Sequence, residues 1–210
     1  MPRKLAKPDP QALQKAGIPP RKEAPDHPYW RHMDTFLRQW EGGDYDDPRG
    51  GFTRFGVSSN VWGEEYVRSL RDPEQPMREV YPQYWSWAQL HRLPHVGAKT
   101  ARAMLDFSIN SSPGVARRLL REVLGLASDA PPAEVDEVLA QVDDDDVAAL
   151  LLERRLQFVQ RIKDKIHKRG WINRIRALSE ALGLVGSPEG AEDGVDLPGG
   201  RGADVSFHNR

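Results

Sequence analysis

The chain has 210 residues, enough for one substantial core, with 30 Lys and Arg against 31 Asp and Glu and no cysteine. Near-neutral charge argues against a nucleic-acid binder, and the lack of cysteine excludes a disulfide framework or a thiolate zinc site. No metal or other cofactor is expected, and no window has the apolar length of a membrane span.

Residues 1–28 carry Pro2, Pro8, Pro10, Pro19, Pro20, Pro25 and Pro28 among mixed charges and no apolar h-region. They read as an extended N-terminal arm that cannot build a core, and not as a signal peptide. The expectation is synthesis in the host cytoplasm, with any substrate outside the membrane reached by another route.

Met33, Phe36, Leu37 and Trp40 recur at i, i+3, i+4 and i+7 and predict an amphipathic helix over 30–41. Glu41 follows the last apolar position, and Gly42-Gly43 offers a stop. A carboxylate there faces the negative end of the helix dipole, and an apolar wall such as Trp40 would disfavour its ionisation further. A carboxyl kept protonated near neutral pH is what general acid catalysis of glycoside cleavage needs. Asp44, Asp46, Asp47, Gly50, Gly51 and Thr53 follow in a polar loop, 44–57, that can close as a small hairpin.

Val61 to Leu70 predicts a helix, broken by Pro73 and Pro76. Tyr81, Tyr84, Trp85 and Trp87 form an aromatic cluster, a core feature in most proteins and a stacking platform in sugar clefts. Helices are predicted at 96–110 and 114–125, with Asp106 and Asn110 on one face of the first. That pair either ties down a neighbouring loop or turns Asn110 toward a ligand's N-acetyl group. The aspartate run 143–146 lacks the spacing of a calcium loop and reads as the capped start of a helix running to 169. Its basic residues, Arg154, Arg155, Arg161, Lys163, Lys165, Lys168 and Arg169, are read as surface. Gly170 is expected to end it, and a last helix spans 171–182. The Gly-rich stretch 184–210 reads as a flexible tail.

Four motifs then stand in one order. They are Glu41-Gly42-Gly43 with Gly50-Gly51-Phe52-Thr53, the block Tyr81…Tyr84-Trp85 with Leu93-Pro94, Asp106…Asn110, and Gly170-Trp171…Asn173-Arg174. Over about 33–182 this order resembles glycoside hydrolase family 108 muramidases. The resemblance implies an all-α, lysozyme-like fold with a catalytic region at 29–126 and a C-terminal helical peptidoglycan-binding-like region at 127–183. It implies an N-acetylmuramidase cutting the β-1,4 bond between N-acetylmuramic acid and N-acetylglucosamine. Glu41 would be the acid, with Asp47 and Thr53 completing the catalytic set. Asp46, Tyr84, Trp85, Asn110, Trp171 and Arg174 would meet substrate. Peptidoglycan glycan strands are the implied partner, acting in the periplasm or cell wall, with a phage endolysin or a virion-borne lysozyme as source. Phage tail proteins could engage the N-terminal arm. A structural tail component on the same fold is the alternative. The loop after Glu41-Gly42-Gly43 is shorter than the family's, which leaves the second carboxylate open between Asp47 and Asp46, and Asp129-Ala130-Pro131-Pro132 stands where the wall-binding part carries a D-G-x-x-G-x-x-T run.

Because neither end carries apolar periodicity, removal of 1–28 and 184–210 together should leave the thermal midpoint nearly unchanged. A large drop on melting would place one of them in the core.

Overall fold

The structure, a computed structural model, describes residues 36–37, 39–41, 43–47, 51–163 and 167–184. The N-terminal arm, most of the tail and the start of the predicted first helix lie outside the described residues. Residues 36, 37, 39 and 40 are helical, with Phe36 and Leu37 buried, and the Glu41 amide donates to the Leu37 carbonyl at 2.7 Å. Glu41 thus closes the last turn.

The predicted hairpin is a three-stranded antiparallel sheet of β1 (Asp44–Asp47), β2 (Gly51–Arg54) and β3 (Val57–Ser58). Phe55 and Gly56 link β2 to β3 with φ of 50° and 74°, the double positive φ of a type I′ turn. Gly56 takes that angle freely, whereas Phe55 takes it under strain. Arg54 ties the sheet down by pairing with Asp44 at 2.5 Å and donating to the carbonyls of Arg68 and Leu70.

The helix expected at 61–70 is two, α1 (Ser59–Trp62) and α2 (Glu64–Ser69). They are split at Gly63, whose φ of 83° no helix accommodates. Helix α3 (Glu74–Glu79) contains Pro76 rather than stopping at it, because its ring sits in the first turn, where the missing N–H has no intrahelical acceptor. Helix α4 (Tyr81–Trp87) carries the aromatic cluster. Then come α5 (Ala98–Asn110), α6 (Pro113–Val123), α7 (Pro132–Leu139), α8 (Asp144–Arg161) and α9 (Lys168–Ala181). The fold is mostly helical with one small sheet, consistent with a lysozyme-like architecture.

Two boundaries differ from expectation. Helix α8 ends at Arg161, where Ile162 turns extended, and Gly170 lies inside the first turns of α9. A helical glycine costs about 1 kcal/mol against alanine. Burial of Trp171, Ile175 and Leu178 on the same helix outweighs it. The tail also starts later than expected, since the Leu184 amide donates to the Ser179 carbonyl and Leu184 packs on the core.

One hydrophobic core runs through both halves of the chain, from Trp62, Tyr66, Trp85, Met104 and Phe107 to Val147, Leu152, Ile175 and Leu178. Helix α8 packs on α5 and α9 on α8, so position 126 is not a packing boundary. The aspartate run has a second use beyond capping its own helix. Asp143 accepts from the Asp145 and Asp146 amides, while Asp144 accepts from the Lys99 and Thr100 amides at 2.8 and 3.0 Å, capping α5 from outside. His95 and Lys99 bond Asp136 and Asp145 beside it.

Asp144→Ala removes the acceptor of two helix-end amides and should cost about 0.5–2 kcal/mol, read by urea unfolding. Asp146→Ala, whose carboxylate caps neither amide, should cost less.

Candidate active site

Glu41 reaches its place because the stripe of Phe36 and Leu37 buries the helix before it, and its side chain is 10% exposed. Its Oε1 lies 2.7 Å from Nη2 of Arg174, on α9. The same nitrogen sits 2.5 Å from Oδ1 of Asp106, on α5, so the two carboxyl groups lie no farther apart than those two contacts allow. Arg174 Nε also donates to Asp106 at 2.9 Å, and Arg155 of α8 donates to the other Asp106 oxygen at 2.6 Å. Asp106 has no exposed surface, and Arg155 and Arg174 are nearly as buried. The guanidinium of Arg174 lies over Phe36 and Trp40 at 5.7 and 6.0 Å, and that of Arg155 over Phe107 at 5.0 Å.

The two carboxyls of this cluster are driven apart. Burial pushes Glu41 above its ordinary value, helped by the Asp106 charge and opposed by Arg174. Burial acts on Asp106 in the same direction, but Arg174 and Arg155 together overcome it and hold Asp106 below its ordinary value. The cluster favours the ionised form of Asp106 and the protonated form of Glu41. Two titratable groups separated in this way are the arrangement from which an acid can be assigned.

On the other side, Gly56 stands against Glu41. A β-carbon there would overlap Glu41 Oε2 and lie 2.5 Å from the Tyr81 hydroxyl, which donates to the Phe55 carbonyl at 2.8 Å. The hairpin turn and Tyr81 therefore shape the space beside the carboxyl. Tyr81 is held well above the usual phenol value and Tyr84 is pushed up to about 12, burial being the main cause of both. Both phenols stay neutral across the working range.

The other residues singled out from sequence scatter around this centre. Thr53 is buried at 2%, and its hydroxyl has no hydrogen-bond partner among the described residues. Asp47 pairs with Gly51 at the end of β1, while Tyr45 pairs with Thr53 and both point to one face of the sheet, and Asp46 points to the other with Phe52. Asp46 is exposed. Tyr84 is half-buried, edge-on to Trp87 at 4.9 Å. Trp85 has no exposed surface and Trp171 only 5%, so both rings are packed in the core. Asn110 is buried and donates to the Asp106 carbonyl of its own helix at 2.8 Å. Arg174 is committed to Asp106 and Glu41.

Residues 35–112 match the profile of the family described as Glycosyl hydrolase 108. That segment is similar to glycosyl hydrolase family 108. The protein is therefore a glycoside hydrolase, and its family 108 segment holds Glu41, Thr53, Gly56, Tyr81 and Asp106, whereas Arg155 and Arg174 are supplied from beyond it. Among solved structures, that of Brucella abortus SagA is similar to this chain. Its TM-score is 0.62 at 24% identity, covering 77% of this chain and 96% of that one, a likeness of fold. No curated protein matches.

Asp106, Arg155, Gly56 and Tyr81 were not among the site residues read from sequence. The spacing of Asp106 and Asn110 was visible, but its two arginine partners lie 49 and 68 positions downstream. Arg155 was read as part of a basic surface. It is the one member of that run whose position falls in the buried stripe between Leu152 and Val159.

Gly56→Ala forces a side chain into a positive-φ position and against Glu41. Stability should fall by more than about 1 kcal/mol, read by urea unfolding. Turnover should fall further than stability explains, because Glu41 is displaced.

Proposed function

We propose that this glycoside hydrolase is a peptidoglycan hydrolase, an N-acetylmuramidase that cleaves the β-1,4 bond between N-acetylmuramic acid and N-acetylglucosamine, with Glu41 as general acid. The observation that carries the acid assignment is the sharing of one Arg174 nitrogen by Glu41 and Asp106 in a buried site, where Asp106 is held below its ordinary value and Glu41 is pushed above it. The saccharide rests on the family 108 segment, which contains the acid.

Glu41 gives its proton to the bridging oxygen as the bond from that oxygen to the anomeric carbon breaks. Positive charge develops on the ring, and water supplies the oxygen that completes hydrolysis. Asp47, with the Thr53 hydroxyl, holds that water or steadies the oxocarbenium-like centre. Their support is the strand register, which sets Asp47 against Gly51 two positions from Thr53, and the buried hydroxyl of Thr53, which has no hydrogen-bond partner among the described residues. Asp46 lies on the opposite face of the same strand. Tyr84, half-buried beside Tyr81 and Trp87, is the aromatic best placed to meet a sugar ring. The site of action is the periplasm or cell wall, and a phage endolysin or virion lysozyme is the proposed biological setting.

Glu41→Gln keeps the shape and loses the transferable proton. Clearing of chloroform-treated Gram-negative cells and of purified peptidoglycan should slow by about 10²–10⁴-fold. Stability should move the other way. A carboxyl raised above its ordinary 4.5 on folding holds its proton longer in the native state, so unfolding free energy falls as pH rises from 4.5 toward the native value. The glutamine variant lacks that loss and should be at least as stable as wild type at pH 7. Undiminished clearing by Glu41→Gln would remove Glu41 from the mechanism, and a wild type that clears neither substrate would favour the structural tail component.

A further inference from the structure

The contact of Glu41 with Arg174 raises a difficulty if Glu41 is an acid. A guanidinium 2.7 Å away stabilises the ionised carboxylate and so works against a proton donor. The structure contains the answer in the second contact of the same nitrogen. Asp106 takes Arg174 through both Nε and Nη2 and is itself clamped by Arg155. The cluster of Glu41, Asp106, Arg155 and Arg174 therefore carries two fixed positive charges and one fixed negative charge besides Glu41.

We propose that Asp106 is a positioning residue for the reaction. Through Arg174 it fixes where the Glu41 carboxyl points and sets the pH range over which Glu41 stays protonated, with Arg155 as the counterweight. This rests on the reading of Glu41 as general acid. Asp106 has no exposed surface and cannot touch a saccharide, so its influence must pass through the shared arginine and through space. Among the described residues, the titratable and charged groups facing Glu41 are Arg174 from α9, Arg155 from α8, Asp106 from α5, and Tyr81 and Tyr84 from α4. The two tyrosines are neutral, so the balance lies among the other three.

The directions follow from charge alone. Neutralising Asp106 leaves two cations facing Glu41 and favours its ionised form. Neutralising Arg155 removes a cation and releases more of the Asp106 field, which favours the protonated form. A purely structural role for either residue would lower activity at every pH without moving the limbs of the profile apart.

The test is the pH dependence of kcat/KM on purified peptidoglycan, with full-length wild type, Asp106→Asn, Arg155→Met and Arg155→Lys, each checked for folding by circular dichroism. Above the pH at which a general acid ionises, the rate falls about tenfold per pH unit. The basic limb should move to lower pH in Asp106→Asn and to higher pH in Arg155→Met, and return toward wild type in Arg155→Lys. A carbon-13 carboxyl titration of Glu41 should move in the same directions without reference to turnover. If Asp106→Asn does not fold, the Arg155→Met and Arg155→Lys pair decides, since Asp106 keeps Arg174 in both. Limbs and titrations that stay in place, or shift alike in folded variants, overturn the proposal. Glu41→Gln in the same assay separates the two failures, because activity retained there sinks the acid assignment itself.

Discussion

One nitrogen, Nη2 of Arg174, holds the site together. It sits between a carboxyl from the end of the first helix and one from α5, in a region nearly free of solvent. Removing ions from water is expensive, and a buried ion pair is often no more stable than an apolar replacement. Here the cost is offset by geometry. Asp106 takes three hydrogen bonds from two guanidinium groups, each of which also lies over an aromatic ring. Breaking the cluster by removing one partner would be far worse than never building it, which makes the arrangement rigid.

That rigidity explains why the C-terminal helices cannot be treated as an appendage to the catalytic segment. Arg155 and Arg174 come from α8 and α9, beyond the residues that match the family 108 profile, yet they determine the charge around Glu41. The core is continuous across the same join, and Asp144 at the start of α8 caps the start of α5. Apolar packing and a buried ion cluster thus lock α5, α8 and α9, and a helix cap adds a further tie between α5 and α8.

The sheet contributes from the opposite side. Its type I′ turn brings Gly56 against Glu41, and Tyr81 donates to the turn's carbonyl. Glu41 is thus held between a charged network, which governs its protonation, and a backbone turn, which leaves just enough room for it. Much of this could be anticipated from residue types. The stripe before Glu41, the two glycines after it and the glycine-rich hairpin pointed to a carboxyl at a helix end beside a small sheet. Burial, expected from a wall such as Trp40, is the leading cause of its raised value, although the wall includes Phe36 and a guanidinium lies over both rings.

The misreadings share one origin, which is that a residue's role depended on a partner far along the chain. Pro76 and Gly170 looked like helix breakers because local propensity was all that could be weighed, and their places in first turns were decided by which apolar faces had to be buried. Arg155 looked solvated because its neighbours in sequence are, while its face of α8 turns inward to Asp106. Trp85 carried the signature of a sugar platform as well as that of core, Trp171 came only from a motif of the resemblance, and close packing places both in the core. The sequence by itself determined the helical class, the order of its motifs and the placing of Glu41 at a helix end, because these rest on periodicity and short-range spacing. Only the tertiary structure decided which charges meet, because a field between residues 41, 106, 155 and 174 exists only once packing has expelled the water that would screen it.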